Sequence, residues 1–258
     1  MNERHRFFEQ LNCFFDKIYV ITLRRATDRQ EHIASQLEGL DYSFFYGKDK
    51  REFDIEELKQ SGIYDEGRAI RNHRFSKPLS AGMIGCSWSH RLVYEDVLEN
   101  GYKRALILED DAVVDEKQLE LLPEIMEELP GDWELLYFGF GLNETPPKGV
   151  FFKKLFYHAL SATGFFKYTH KTISNLYPRQ ISRHIYKAGY HDCTHAYAIT
   201  QSAAQKLRNL QEPIAFLPDN LLAHAATNGI LNAYIILPKL INQQYQISHQ
   251  PTFSYINH

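Results

Sequence analysis

The sequence predicts an α/β protein in which a mostly parallel central sheet is flanked by helices. Short β-branched and aromatic runs recur along the chain, and most are followed by a stretch with apolar residues at helical spacing. Strands that alternate with helices favour parallel pairing. The 258 residues carry no internal repeat and no Pro/Gly/Ser-rich linker, so we expect one domain over residues 1–258.

The first half of the chain supplies most of the predicted alternation. Thr27 and Gln30 predict a capping box for its first helix, and Asp115 and Gln118 predict another for a helix that Pro123 interrupts. Residues 61–80 are polar, contain Gly and Pro and show no clear period, which predicts a surface loop. The expected strands are 17–23, 42–46, 104–108 and 133–138, and the expected helices are 27–38, 54–60 and 81–98.

The second half begins with an unusual stretch. Residues 151–191 contain no acidic residue, seven Lys or Arg residues and many aromatic residues, in no clear pattern. Regular periodicity then returns. It predicts strands at 195–200 and 234–237 and helices at 201–210 and 218–228.

Composition excludes several classes of protein. A net charge of -3 argues against nucleic-acid binding through bulk positive charge. Cys13, Cys86 and Cys193 are widely spaced and form no CxxC pair, so we expect neither a disulfide framework nor a structural zinc site, and a reducing cytoplasm fits best. No apolar run reaches the roughly 18 residues of a membrane span. The first ten residues do not resemble a signal peptide.

The strongest local signal is Glu109-Asp110-Asp111, three carboxylates at the end of an apolar strand. Open α/β sheets bind ligands at the carboxyl ends of their strands. Extended alternation would put Glu109 and Asp111 on one side, where their mutual repulsion favours a bound Mg²⁺ or Mn²⁺. The alternative is a solvated strand end at which Asp111 or Asp115 caps the next helix.

Two further clusters are candidates for binding. Arg24, Arg25 and Arg29 follow the first strand and suit a phosphate group, although they also fit an ordinary solvated first turn. Gly82 and Gly85 at the start of a helix indicate close approach of either a ligand or a packed neighbour. We interpret Cys86 as a packing residue rather than a nucleophile. Neither a dinucleotide-binding GxGxxG nor a P-loop motif is present.

Four blocks together resemble glycosyltransferase family 25, which includes bacterial lipopolysaccharide and lipooligosaccharide galactosyltransferases and animal collagen galactosyltransferases. The blocks are KIYVITLRRATDRQEHI, GMIGCSWSHRLVYEDVL, ALILEDDAVV and HAYAITQSAAQKL followed by Pro218-Asp219. The resemblance implies a GT-A fold with a nucleotide-binding part of about 15–140 and an acceptor-binding part of about 141–258. It also implies inverting transfer of a hexose, typically galactose, from a UDP-sugar with Mn²⁺ or Mg²⁺.

The resemblance also assigns residues. Asp111 would ligate the metal, and Glu109 or Asp110 would bind the ribose or a second metal position. This chain has Glu rather than Asp at 109, and Met83 where an acidic residue is common in the family. The residues that match blocks near the donor nucleotide are Thr22, Leu23, Arg24, Arg29, Ser89 and His90; His90 fits a purely structural role equally well.

An inverting transfer needs a base for the acceptor hydroxyl, and Asp219 is our candidate, with a plain helix N-cap as the alternative. His224 and His249 are weaker candidates for a further metal ligand beside Asp111 and Glu109, because lone histidines are usually structural. The basic stretch 151–191 would recruit an anionic glycolipid such as lipopolysaccharide core at the inner membrane face, unless it is only a solvated loop.

Two other functions remain open. A metal-dependent phosphohydrolase or nucleotidyltransferase would use the same carboxylates without a sugar acceptor. A non-catalytic sugar-nucleotide or glycan-binding module would keep the binding residues without turnover. The sequence does not identify the sugar, the linkage or the acceptor, because one or two pocket side chains decide them.

Overall fold

The structure, a computed structural model, describes residues 2–73, 76–163 and 167–244. Within these residues the helices and strands alternate along most of the chain, and a 3₁₀ turn spans Leu119–Leu121. The α-helices are α1 Glu3–Phe14, α2 Thr27–Gln36, α3 Ile55–Gln60, α4 Glu66–Asn72, α5 Ala81–Glu99, α6 Leu122–Glu128, α7 Val150–Ala162, α8 His170–Ser174, α9 Gln201–Leu210 and α10 Pro218–Thr227. The strands are β1 Lys17–Thr22, β2 Ser43–Tyr46, β3 Arg104–Glu109, β4 Ala112–Val114, β5 Leu135–Gly141, β6 Arg179–Gln180, β7 Ile185–Lys187, β8 Asp192–Thr200, β9 Ala233–Ile236 and β10 Ile241–Gln243.

Eight of these strands form one sheet in the order β2-β1-β3-β8-β5-β9-β7-β6. β1 is parallel to β2 and β3, and β5 is parallel to β9. β8 lies between β3 and β5 and runs against both, and β7 runs against β9 and β6. Among the eight described strands of this sheet, only β7 and β8 therefore oppose the common direction. The predicted α/β class and mostly parallel sheet with flanking helices are confirmed.

The central strands are buried on both faces. On β3, Leu106 and Leu108 face one apolar cluster, whereas Ala105 and Ile107 face the other. Helices α1, α2 and α6 contribute to the first cluster, and α5, α9 and α10 contribute to the second. Coverage on both sides explains why β3 is an unbroken apolar run instead of an alternating one.

A two-stranded ribbon follows the acidic triplet. β4 begins directly after Asp111 and pairs antiparallel with β10 near the end of the described chain. The sequence pattern predicts neither strand, because three residues are too few to show a period. The ribbon places Gln243 opposite Ala112, one residue from the triplet.

The predicted surface loop at 61–80 is wrong. This segment contains α4, and its Tyr64, Ala69 and Leu79 are buried in a third apolar cluster with Ile84 of α5. The Asp65 side chain caps α4 by accepting a hydrogen bond from the Arg68 backbone N–H at 2.8 Å. A seven-residue helix with few apolar residues leaves no periodic signal.

Both predicted capping boxes are also wrong. Thr27 is the first residue of α2 rather than its cap, and Gln30 donates instead to the Leu23 carbonyl at 2.7 Å. Asp115 accepts a hydrogen bond from the Lys117 backbone in a turn, and the helix proper begins only at α6. Pro123 lies in the first turn of α6, where it starts the helix instead of interrupting it.

The stretch 151–191 is more regular than its sequence pattern indicates. It contains most of α7 together with α8, β6 and β7, and the last two strands extend the central sheet. No helix in the described ranges is long and apolar enough to cross a membrane.

Candidate active site

A cleft of about 190 Å³ opens at the carboxyl ends of β1, β2 and β3. Parallel pairing brings these strand ends to one edge of the sheet, together with the first residues of antiparallel β8. Eight of the residues that line the cleft are Arg25 and Gly82, which belong to the two candidate binding clusters, and Ile21, Lys48, Asp49, Lys50, Cys86 and Gln243, which were not predicted to form the site. The other eight lining residues, all predicted as site residues from the sequence, are Thr22, Leu23, Arg29, Ser89, His90, Glu109, Asp110 and Asp111.

The acidic triplet is folded into a tight turn between β3 and β4. Asp110 accepts a hydrogen bond from the Thr22 hydroxyl at 2.7 Å. It also forms an ion pair with Arg29 at 2.7 Å. The same Arg29 nitrogen lies 3.2 Å from Asp111. The alternation predicted for an extended chain is therefore wrong, because the turn directs Asp110 and Asp111 to one guanidinium.

Asp111 has an incompletely satisfied carboxylate. Its Oδ2 accepts a hydrogen bond from the Gln243 side chain at 2.9 Å, whereas its buried Oδ1 has no hydrogen-bond partner among the described residues. Burial, followed by the charge of Glu109, raises the pKa of Asp111 to about 6. A buried carboxylate oxygen without a donor, beside a second carboxylate, fits a hard divalent cation.

A denser group of potential ligand atoms lies away from the cleft. Glu124, Glu128 and His184 bring theirs within 4.8 Å of one another. Glu128 already accepts hydrogen bonds from Ser182 and from the backbone and ring of His184. Glu124 pairs with Arg183 at 2.9 Å. We therefore interpret this group as a structural link between α6 and the β6–β7 hairpin.

The first turns of α5 join two walls of the cleft. The Ser89 hydroxyl donates to the Gly85 carbonyl at 2.6 Å and accepts from the Lys48 backbone at 2.9 Å. A Cβ at Gly85 would lie 2.6 Å from the Lys48 carbonyl oxygen, so this glycine permits close packing of helix against loop. His90 is buried between the Tyr197 hydroxyl, 2.7 Å from Nδ1, and Glu109, 3.6 Å from Nε2.

The three arginines that follow β1 have different roles. Arg29 binds the acidic turn, and Arg25 lines the cleft in an ion pair with Asp49. Burial would raise the pKa of Asp49, but hydrogen bonds from Arg25 and the Arg51 backbone outweigh it and lower that pKa. The Arg24 guanidinium stacks over the Tyr46 ring at 4.4 Å and does not line the cleft. The structure therefore does not bring Arg24 together with the other predicted nucleotide-binding residues.

Asp219 lies within electrostatic reach of the acidic triplet. Burial, then the carboxylate of Asp192, raises its pKa to about 6, and Glu109 adds to the shift. The Asp219 carboxylate accepts a hydrogen bond from the Asn220 backbone N–H at 2.7 Å and another from the Cys193 backbone N–H. Leu217 is the N-cap of α10 and no side chain caps it, so Asp219 is not the N-cap that the alternative proposed.

Cys193 has a left-handed backbone with φ of 63°, which is strained for a non-glycine residue. It lies where β8 shifts register against β5. Strain of this kind persists only where surrounding structure holds it, and it is frequent at functional sites. Here the strained residue is the one whose backbone N–H donates a hydrogen bond to Asp219.

Cys86 does not have the environment of a nucleophile. Burial, followed by the charges of Glu109 and Asp219, raises the pKa of its thiol well above the usual value. A thiolate is therefore disfavoured. The packing role predicted for Cys86 agrees with this environment.

His224 does not lie with Glu109 and Asp111. It lines a second pocket, of about 170 Å³, and its ring contacts the Asn228 side chain at 3.3 Å. The proposal that His224 completes the metal site is therefore not supported by this arrangement, and His249 lies outside the described residues. The second pocket is lined by Arg71, Asn72, Lys167, Tyr168, Thr169, Thr172, Tyr190, Phe216, Asn220 and His224.

Asp192 and Gln243 are site residues that sequence reasoning missed. Asp192 opens β8, so its position depends on that strand running against its neighbours. Gln243 ends the short β10 and carries no sequence signal. For Lys48 and Asp49 a signal existed, because they follow a strand parallel to β1 and must share its edge.

Replacing Gly139 with Ala should destabilise the protein by about 1–3 kcal/mol, because overpacking forces backbone movement. The new Cβ would overlap the Ile241 carbonyl oxygen and the His195 ring, and so displace β10. Urea unfolding measures the effect. Gly131→Ala is the matched control, since its Cβ meets nothing within 4 Å. Equal stability of the two variants would contradict the tight packing of β10.

Comparison with known families gives one match. The description of that family is glycosyltransferase family 25 (LPS biosynthesis protein), and the match covers residues 15–222. The matched range includes the acidic triplet, Arg29 and Asp219, whereas β9, β10 and Gln243 lie beyond it.

Individual relatives match a smaller part of the chain. Procollagen galactosyltransferase 2 of Mus musculus is 29% identical over 130 residues, which is 48% of this chain and 21% of that protein. The human protein named inactive glycosyltransferase 25 family member 3 is 29% identical over 132 residues, which is 48% of this chain and 22% of that protein. The chain thus matches only about a fifth of the length of these relatives.

Among solved structures, inositol-1-phosphate CTP transferase from T. maritima aligns over 93% of this chain and 74% of its own. The TM-score is 0.38 and the sequence identity is 10%. A score this low supports no conclusion about fold or function.

Proposed function

The chain belongs to glycosyltransferase family 25, and on that premise we propose that it is an inverting, metal-dependent hexosyltransferase with a GT-A fold. The proposed donor is a UDP-sugar, UDP-galactose first, and the proposed product is a β-linked glycan on an acceptor such as lipopolysaccharide or lipooligosaccharide core. One observation carries the proposal: a single cleft brings basic side chains together with the acidic turn, and Asp219 lies within electrostatic reach of that turn.

The donor half of the site would bind the nucleotide diphosphate. Arg25, Lys48 and Lys50 line the cleft and supply positive charge where a diphosphate requires it. Asp111 and Glu109 would hold Mn²⁺ or Mg²⁺, a role supported by the Asp111 Oδ1, which accepts no hydrogen bond from the part of the chain that the structure describes. When bound, such an ion stabilises negative charge on the leaving diphosphate.

The acceptor half would centre on Asp219. Its carboxylate would take the proton of the acceptor hydroxyl while that oxygen bonds to the anomeric carbon. The bond from this carbon to the diphosphate breaks, and UDP leaves. With its pKa near 6, Asp219 is ionised at neutral pH and remains basic enough to accept a proton.

The second pocket is the proposed acceptor subsite. Asn220 and Tyr190 line it, and the charge of Asp219 contributes to the raised pKa of Tyr190, so the pocket lies near the proposed base. Tyr168, Tyr190 and Phe216 offer aromatic faces for sugar rings. Arg71 and Lys167 add positive charge, which suits the phosphate or carboxylate groups of a bacterial glycolipid core.

A cytoplasmic location belongs to the same proposal. It is supported by Cys13, Cys86 and Cys193, which are free thiols. Disulfides are rare in a reducing compartment, so free thiols agree with this location.

The first test is UDP release from a panel of UDP-sugars in the presence of Mn²⁺, Mg²⁺ or EDTA. We expect metal-dependent release from one donor, stimulated by a glycan acceptor. Release without any dependence on acceptor would favour the phosphohydrolase alternative. Failure to bind or turn over any UDP-sugar would contradict the proposal.

A non-catalytic module is the second candidate, and the name of the inactive human relative favours considering it. Such a module would bind a UDP-sugar or a glycan without releasing UDP. Calorimetric binding measured beside the release assay separates the two, because only the transferase shows turnover in addition to binding.

A further inference from the structure

Helix α7 has the reverse of the usual amphipathic arrangement. None of its residues is buried, and Phe151, Phe152, Leu155 and Phe156 are 69%, 73%, 58% and 59% exposed. By helical periodicity these four share one face with exposed Ala159 and Ala162. A solvated face made only of apolar residues is unfavourable in water and marks a surface that contacts something else.

Polar side chains of α7 anchor the helix to the protein body, although Lys153 is also exposed. Lys154 donates to the Ser174 carbonyl at 2.6 Å, and the His158 ring lies 2.8 Å from that of His170. Lys153 lies over the Tyr177 ring at 5.6 Å. Because these contacts fix the rotation of the helix about its axis, the apolar face is held outward.

We propose that α7 binds the surface of an anionic phospholipid bilayer, with its four large apolar side chains inserted at the interface. Aromatic and leucine side chains beside lysines are typical of helices that lie in the membrane plane. The sequence contains no acidic residue from 145 to 191, and Lys148 and Lys153 are exposed at or beside α7. Anionic lipid headgroups complement that charge.

The size of the apolar face favours a bilayer over a second copy of the chain. Taking about 150–250 Å² for a fully exposed aromatic side chain, the four side chains present roughly 500 Å². A stable protein interface buries about 800 Å² on each partner. The face is therefore small for a dimer, whereas interfacial insertion of one helix requires no larger area.

This membrane contact would lie close to the second pocket. Val150 and Tyr157 on the inner side of α7 pack against the cluster that contains Tyr190. Tyr190 and its neighbour Tyr168 also line that pocket. A docked α7 would thus hold the pocket near the lipid surface. The inference itself does not depend on the proposed reaction.

The test is co-sedimentation with vesicles of phosphatidylcholine, with and without phosphatidylglycerol. We expect binding only to the anionic vesicles, and at least a tenfold weaker partition for the double variant Phe152→Ser, Phe156→Ser. Ile181→Ser is the matched control, because Ile181 is an exposed apolar residue outside α7. Circular dichroism and UDP binding should be unchanged in all three proteins.

Insertion has its own readout. Phe152→Trp should show a blue-shifted emission on addition of anionic vesicles, and Ile181→Trp should not. The proposal is overturned if wild type does not sediment, or if the double variant binds as wild type does. It is also overturned in favour of a second copy if light scattering shows a dimer that the double variant abolishes, without vesicle binding.

Discussion

Replacing Asp219 with Asn is expected to lower kcat for sugar transfer by about 10²–10⁴-fold, the usual contribution of a positioned general base. Asn keeps the size of the side chain but cannot accept a proton. Because Asp219 lies outside the donor half of the site, UDP affinity measured by calorimetry should stay within twofold. Asp54→Asn, at the exposed N-cap of α3, is the control.

The same substitution should increase stability at neutral pH. The pKa of Asp219 in the folded protein, about 6, lies above the ordinary aspartate value of 3.8, so the protonated form favours the fold. This contribution is complete below pH 3.8 and is lost as pH rises through 6. At pH 7.5 Asp219→Asn should therefore gain about 1–2 kcal/mol, less than the roughly 3 kcal/mol of a fully buried group.

Melting temperatures at pH 4 and pH 7.5 measure this gain, which should vanish at the lower pH. Lost transfer together with retained UDP binding and gained stability would identify Asp219 as the base. Transfer at the wild-type rate would exclude it. Lower stability at both values of pH would instead indicate a structural role.

Asp111→Asn is expected to weaken metal-dependent UDP binding by at least about 100-fold, more than the 10–100-fold typical of residues that only orient a metal ligand. The substitution removes the charge of the carboxylate whose Oδ1 has no hydrogen-bond partner within residues 2–73, 76–163 and 167–244, while its amide oxygen can still accept a hydrogen bond from Gln243. Calorimetry with Mn²⁺ or EDTA measures the loss.

Asp115→Asn is the matched control for Asp111→Asn. Asp115 lies four residues further along the chain, accepts a hydrogen bond from the Asn242 side chain and does not line the cleft. Gln243→Ala should give a smaller loss, since Gln243 only positions Asp111. Full UDP binding and turnover in EDTA would contradict a metal role. In that case the negative charge of the diphosphate would be neutralised by Arg29, Arg25 and Lys48.

The site was predictable where it follows from single strands. Glu109 to Asp111 stand out because an apolar run ends in three acids, and Arg29 follows the neighbouring parallel strand. Their mutual geometry was not predictable, because it depends on a turn that breaks the strand alternation. Both capping boxes failed because a matching pair of residues does not fix where a helix begins.

Long-range partners could not be predicted from the chain alone. Asp192 approaches Asp219 only because β8 is inserted antiparallel between β3 and β5. The outward orientation of the apolar face of α7 likewise depends on the contacts of its lysines with Ser174 of α8 and with the Tyr177 ring. Sequence periodicity shows that a helix has two faces, but packing decides which face is outside.

The position of β9 and β10 beyond residue 222 has a consequence for protein production. A fragment trimmed to residues 15–222 would lack β9 and would expose the backbone edge of β5, whose side chains are apolar from Leu135 to Phe138. An unpaired apolar edge is a template for association between chains. Such a fragment should accumulate in inclusion bodies, whereas a chain that extends through Gln244 retains both the paired edge and the Asp111 contact.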